Sequence, residues 1–338
     1  MITRKKNTIN NKTILVTGGT GSFGNEFVER TLQNFKPKKI YIFSRDEMKQ
    51  WSMKEKFKKF NNVEFIIGDI RDKERLSLAF KGVDIVVHAA ATKIVPFAEK
   101  NPFECIKTNI FGSMNVLTEC VNNKVKKIVA LSTDKASSPI NLYGASKLCS
   151  DKLFISGNFL NRNQLTKTSV VRYGNVMGSR GSVIPFFLKI PKKEKMPITH
   201  KDMTRFMISL KEGVELVWHA IGDMIGGEIY VKKIPSMKVT DIAQAINPNG
   251  KFKIIGIRAG EKIHEQMIGS DDANYTYEFK DYYKILPFST EFKLNKKYIK
   301  NGKKVKSNFI YSSDSNKNWM KAKYLKQWLI INKEKFLD

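Results

Sequence analysis

The sequence predicts an α/β protein built on a doubly wound parallel sheet, followed by a smaller C-terminal α/β region. Three observations predict it. Apolar, strand-like runs alternate with amphipathic stretches through the first half of the chain; a glycine-rich turn follows the first run directly; and the alternation loosens after about residue 178.

The elements follow in order. "TILVTG" (13–18) is a short apolar run ending in glycine, the pattern of a buried parallel strand. "NEFVERTLQNF" (25–35) spaces Phe27, Leu32 and Phe35 as an amphipathic helix does. "KIYIFS" (39–44), "VEFIIGD" (63–69), "VDIVVHAA" (83–90) and "KIVALST" (127–133) are further strands, separated by helical stretches such as 73–80 and 112–123. Residues 183–199 carry three prolines and read as irregular structure. A helix over 209–222, a strand over 226–233, and a smaller unit from 238–246 and 251–257 come next. The tail from about 270 shows no usable period. These readings divide the chain into a Rossmann domain over 12–178, with 206–235 returning to it, and a substrate-binding region formed by 179–205 and 236–338.

Composition is that of a globular protein of 338 residues, 41% hydrophobic and 27% charged. No apolar run approaches the roughly 20 residues of a membrane span, and the N-terminus lacks the apolar core of a signal peptide, so a cytoplasmic protein is expected. Cys105, Cys120 and Cys149 show no metal-ligand spacing and read as buried free thiols; the four histidines are scattered, so no metal is expected. The net charge of +28 is spread along the chain without a basic tract or nucleic-acid motif. It reads as a lysine-coated surface that attracts an anionic nucleotide substrate, not as a nucleic-acid interface.

"TGGTGSFG" (17–24) lies between the first strand and the first helix. Gly18, Gly21 and Gly24 let the backbone turn and approach a pyrophosphate at the helix N-terminus, with Thr20, Ser22 and Phe23 completing the turn. At the end of the second strand Ser44, Arg45 and Lys49 suit the 2′-phosphate of NADP, while Asp46 keeps NAD open. Asp69 and Ile70 flank the adenine position, and small residues including Ala89 allow close passage of the cofactor. His88, at an apolar strand end, reads as structural.

Tyr143 and Lys147 stand one helical turn apart, so both face the same way. A lysine beside a phenol lowers its pKa and makes it a usable base. Ser132 or Thr133 supplies a hydrogen bond to the reacting hydroxyl.

With "TGGTGSFG" upstream, "YGASK" (143–147), "RYGNVMGSRGSV" (172–183) and "IRAGEKIHE" (257–265), the chain resembles the extended short-chain dehydrogenase/reductase family from about residue 12 to 319. "STDKA" (132–136) narrows the resemblance to the C5-inverting nucleotide-sugar 4,6-dehydratases acting on UDP-N-acetylglucosamine, since the retaining ones usually carry Asp-Glu at the place of Asp134-Lys135. The resemblance implies that Tyr143 removes the 4-hydroxyl proton as C4 gives hydride to a tightly bound, recycled NADP. It implies that Lys135 then takes the C5 proton, that Asp134 protonates the departing 6-hydroxyl, and that hydride returns to C6. Lys135 acts so only when neutral, which calls for burial or nearby cations to depress its pKa.

The same resemblance puts Lys93 and Tyr173, Asn175 and Val176 beside cofactor and sugar, and Arg180, Thr199, Arg205, Arg258 and Glu261 on the nucleotide side. It also implies a homo-oligomer and a place at the first step of pseudaminic acid-type sugar synthesis. The chain departs from the pattern at Ile94, where a histidine often follows the lysine. The rival readings are an epimerase or other dehydratase on a different nucleotide sugar, and a non-catalytic dinucleotide sensor or nucleic-acid binder.

Overall fold

The computed structural model describes residues 8–160, 165–287 and 299–332. Six strands come first: β1 (Thr13–Thr17), β2 (Lys39–Ser44), β3 (Val63–Ile67), β4 (Ile85–His88), β5 (Lys127–Thr133) and β6 (Lys167–Tyr173). They lie side by side in the order β3-β2-β1-β4-β5-β6, all parallel. The order reverses between β1 and β4, which opens a crevice at the carboxyl ends of those strands. The helices of this half are α1 (Ser22–Asn34), α2 (Glu47–Phe57), α3 (Lys73–Ala79), α4 (Val95–Lys100), α5 (Pro102–Ile106), α6 (Gly112–Asn122) and α7 (Leu142–Leu160).

Strand Glu228–Lys232 continues the sheet parallel to β6. Beyond it, Tyr282–Ile285, Thr276–Glu278 and Lys303–Lys304 pair antiparallel and complete ten strands. The tail without a readable period therefore forms the sheet's antiparallel edge, in strands too short to display alternation. Its aromatic residues pack on one another, as Tyr283 does on Tyr311 with centroids 5.2 Å apart.

Residues 183–199 depart from the expected loop. They hold the helix Val183–Leu188 and the strand Met196–Ile198. Pro185 lies in the helix's first turn, where no N–H is required, and Pro197 lies in a two-stranded sheet, where a missing donor is tolerated. Ile184, Phe187, Met196 and Ile198 enter a second core with Met203, Met207 and Met237. The helices Val239–Ile246 and Ala322–Ile331 close that core. The expected helix near 209–222 spans Leu210–Asp223, started by a capping box of Ser209 and Glu212, and packs on α1. Of the three thiols, Cys149 is exposed, not buried as expected, because its position on α7 faces outward. Among the described residues no helix is long and apolar enough to cross a membrane.

One buried knot ties β6 and α7 to the segment around 267–272. Arg172 on β6 donates to Asp151 of α7 (3.1 Å), to the Met267 carbonyl (2.8 Å) and to Asp272 (3.3 Å). Asp151 also accepts from Ser132 at 2.8 Å. Removing the guanidinium leaves a carboxylate buried without its cation. Arg172→Ala is expected to cost roughly 3–5 kcal/mol of stability, read from the midpoint of urea unfolding; a loss below about 1 kcal/mol would show that the knot is dispensable.

Candidate active site

The glycine turn sits at the crevice. Gly18 has φ 65°, and a Cβ there would stand 2.8 Å from the Ala90 backbone. A Cβ on Gly24 would stand 2.1 Å from the Gly19 carbonyl oxygen, so α1 starts tight against the turn. Gly21 caps α1 without a side chain, and the first turn carries no acid. The helix end thus offers bare N–H groups to an anion. Thr20 is buried, and Phe23 stacks toward Phe27 at 5.9 Å, so its backbone and not its ring faces the turn. Ser22 Oγ accepts the Arg180 N–H at 3.3 Å, and Lys93 Nζ donates to the Arg180 carbonyl at 2.9 Å.

Ser44 is buried and its hydroxyl accepts from Gln50 (3.1 Å). Asp46 caps α2 through the Lys49 N–H (2.9 Å) and pairs with the Lys49 ammonium. Ser44 and Lys49 are thus engaged by local structure. Arg45 remains, its side chain 61% exposed and held only by a 3.6 Å contact to Asp69. Burial pushes the Asp69 carboxyl up, but hydrogen bonds from Arg71 outweigh it and hold Asp69 below the usual range. Ile70 is buried against Gly112, and the Ala89 N–H donates to Thr17 (3.1 Å). His88 lies between Thr17 (2.8 Å) and Ser113 (3.2 Å), and burial depresses its pKa to about 3, so it is a neutral structural residue.

β5 ends at Thr133 and runs into a single 3₁₀ turn, Asp134–Ala136. The N-terminus of α7 packs on this turn. A Cβ on Gly144 would lie 2.3 Å from the Lys135 carbonyl oxygen, so only glycine permits the approach. Tyr143 and Lys147 are both buried on α7. Burial pushes the Tyr143 phenol up to about 12, against the pull of the Lys135 cation and a hydrogen bond with Thr133. Lys135 is thus a cation acting on the phenol. Lys147, 3% exposed and pushed down by burial, makes no hydrogen bond or ion pair among the described residues. Of the two hydroxyls at this strand end, Ser132 is bound to Asp151, whereas Thr133 hydrogen-bonds with Tyr143.

Asp134 and Lys135 touch, with Nζ 3.0 Å from Oδ1, and Thr133 donates to the same oxygen at 3.0 Å. A third group, which the motif reading did not single out, completes the cluster. Glu265 lies 3.0 Å from Lys135 Nζ on the other side, and Arg205 Nε is 3.8 Å from it. Asp134 and Glu265 are 0% and 2% exposed, whereas the Lys135 side chain is 23% exposed. Burial, with Glu265 nearby, raises the Asp134 pKa despite Lys135. Lys135 departs from expectation: burial lowers it, but the two carboxylates outweigh that and hold it above the usual lysine value. Its resting form is the ammonium.

The expected substrate residues divide. Tyr173 is buried at the end of β6 near Tyr143, and Asn175–Val176 pair with Met207–Ile208 beside it. The Thr199 hydroxyl donates to Met203 Sδ at 3.1 Å and is engaged in the second core. Arg205 is buried and donates to the carbonyls of Thr204, Lys262 and Ile263, so it braces the 261–265 turn. Glu261 pairs with Arg258 (2.8 Å) and Arg205 (3.5 Å). Burial raises Glu261, but the two arginines outweigh it and keep the carboxylate ionised. Lys93, Arg180 and Arg258 are the exposed cations of the expected set.

Comparison with known proteins agrees with this geometry. Residues 14–287 match the family model described as polysaccharide biosynthesis protein. A protein of Campylobacter jejuni subsp. jejuni named UDP-N-acetylglucosamine 4,6-dehydratase (inverting) is 55% identical over 324 residues, covering 94% of this chain and 96% of its own. A Rickettsia bellii protein named UDP-glucose 4-epimerase is 42% identical, covering 90% and 92%. The X-ray structure of Pen from Bacillus thuringiensis superposes with a TM-score of 0.86 at 35% identity, covering 96% of this chain and 99% of that one.

The glycine turn yields a binding prediction. Gly18→Ala places a side chain on a left-handed backbone and against Ala90, a strain of roughly 1–3 kcal/mol. A nicotinamide dinucleotide is expected to bind about ten- to a hundredfold more weakly, measured by fluorescence titration with NADPH.

Proposed function

The chain belongs to the polysaccharide biosynthesis protein family, within the extended short-chain dehydrogenase/reductase enzymes, and on that premise we propose that it is a 4,6-dehydratase of UDP-N-acetylglucosamine that inverts C5. The observation that carries the reading is the buried Asp134–Lys135 pair beside Tyr143.

The residues fit a nicotinamide dinucleotide: a glycine cradle, a bare helix end, and the unpartnered Lys147 ammonium ready for its hydroxyls. Bound there, the cofactor supplies a reversible two-electron acceptor. Tyr143 is the base for the 4-hydroxyl proton, aligned by Thr133 and made more acidic by Lys135. Once C4 is a ketone, the C5 proton is acidic.

The 3.0 Å contact lets Lys135 pass a proton to Asp134, which converts an ion pair into a neutral base beside a neutral acid. Lys135 then takes the C5 proton while Asp134 protonates the 6-oxygen. The C6–O bond breaks, a C5–C6 double bond forms, and water departs. The pair returns to Asp134 carboxylate and Lys135 ammonium. The hydrogen and two electrons given up at C4 return to C6, and a solvent-derived proton adds to C5 from the opposite face, which inverts that centre. The epimerase reading draws on the Rickettsia bellii relative; 4-epimerisation expels no hydroxyl and leaves the buried acid without a task.

The same reading takes NADP as cofactor, because Arg45 is exposed at the end of β2 whereas Asp46 is engaged in capping α2. It takes the sheet through 178, with 206–235, as the cofactor half, and 179–205 with 236–338 as the substrate half. From the resemblance it takes a cytoplasmic homo-oligomer at the first step of pseudaminic acid-type sugar synthesis.

Incubation of the protein with UDP-N-acetylglucosamine in deuterated water is expected to give a product lighter by one water, deuterated at C5, with L-arabino configuration. A C4 epimer without water loss, or retained configuration, would overturn the reading. Lys135→Ala is expected to lose about 10²–10⁴ in rate and to stall at the 4-keto stage, while Tyr143→Phe binds the sugar nucleotide but does not oxidise C4. Arg45→Ala is expected to weaken NADP about ten- to a hundredfold and to leave NAD nearly unchanged; equal losses would remove Arg45 from the 2′-phosphate.

A further inference from the structure

Glu265 stands outside every role assigned so far, yet its placement is the most constrained in the site. Its N–H donates to Ser313 Oγ at 2.9 Å, and its carbonyl accepts the Ser313 N–H at 2.8 Å. Ser313 Oγ is in turn 2.7 Å from Thr204 Oγ1. The backbone is pinned on both sides, so the carboxylate has little freedom to leave Lys135.

A purely structural ion pair satisfies its oxygens. Here Glu265 Oε2 and Asp134 Oδ2 are both buried and lack a hydrogen-bond partner among the described residues. Two orphaned carboxylate oxygens flank one ammonium, which is the side chain of the three that reaches solvent. A protonated carboxyl and a substrate hydroxyl are the groups such oxygens accommodate.

The two carboxylates have unequal surroundings. Arg205 lies against Glu265 in addition to Lys135. Burial raises the Glu265 pKa, but these cations outweigh it and bring it below the usual glutamate value, whereas Asp134 is raised. Neighbouring acids pushed apart in this way divide their tasks. The charged and titratable groups facing Lys135 are Asp134 and Tyr143 from its own strand–helix unit, and Glu265, Arg205 and Lys262 from the opposite side.

We propose that Glu265 is a positioning residue for the dehydration: its permanent carboxylate holds the Lys135 amine in place, leaving Asp134 as the carboxylate that takes and returns the proton. The inference rests on the dehydratase reading of this site. Its consequence is a pH signature. Water loss needs the Asp134–Lys135 pair to hold one proton, so its rate is bell-shaped in pH, with limbs that belong to the pair. The Glu265 charge favours protonation and moves both limbs upward.

The test measures kcat and KM against pH in wild type, Glu265→Gln and Glu265→Asp. Glu265→Gln is expected to shift both limbs to lower pH by about one unit or more and to lower kcat about ten- to a hundredfold, with KM nearly unchanged. Glu265→Asp keeps the charge and is expected to retain the wild-type limbs with reduced kcat. An active Glu265→Gln whose profile superposes on wild type, or a change in KM alone, overturns the inference and leaves the dehydratase reading intact. Absence of water loss in wild type fails that reading instead. A second measurement decides the inference without turnover. The ε-¹⁵N resonance of Lys135, identified by its disappearance in Lys135→Met, is expected to stay in the ammonium form above the ordinary lysine value of 10.5 in wild type. Titration at or below that value overturns the inference even if Glu265→Gln does not fold.

Discussion

The site depends on holding one lysine between two buried acids that the chain supplies from widely separated segments. Lys135 and Asp134 come from the turn after β5, whereas Glu265 comes from a turn braced by Arg205 and Ser313. Either acid, buried without a cation, is costly, and the lysine between them offsets both penalties. Bringing the 261–265 turn up against the turn after β5 is therefore an electrostatic requirement as well as an apolar one. Arg172, bonded to α7, Met267 and Asp272, fixes the distance over which the requirement is met.

Most of the parallel sheet was legible in the residues because buried strands leave an unmistakable mark. β2 and β5 coincide with the apolar runs that announced them, and the glycine turn stands where strand meets helix. Segments that pack on one side by a few residues left no such mark. Helix Val183–Leu188 hides behind three nearby prolines, and the antiparallel edge strands are too short to alternate visibly. At the site, motif spacing located Tyr143, Lys147, Asp134 and Lys135. It did not reveal that Arg205 serves the backbone, because that depends on contacts across the fold, or that Ser44 is turned inward onto Gln50. Glu265 lay within a quoted motif, but nothing local connects it to Lys135.

The four buried cations make a useful contrast among the described residues. Arg172, Arg205 and Lys284 each meet a carboxylate, the last through Asp223 at 2.7 Å. Lys147 meets none. The net charge of +28 adds little to this picture, since pairs such as Lys39–Glu64 and Lys56–Glu29 are partly exposed and each contributes little. The buried cations carry the functional information, and the unpaired one lies on the helix that also bears Tyr143.

Gly144 has a wider meaning than a tight contact. It is the point at which the helix bearing Tyr143 rests on the turn bearing Asp134 and Lys135. With no side chain between them, the two sets of groups share one rigid frame, and a displacement of either moves both. In mutational drift this position has almost no neighbours to move to: even alanine, the mildest substitution, pushes the helix and the turn apart.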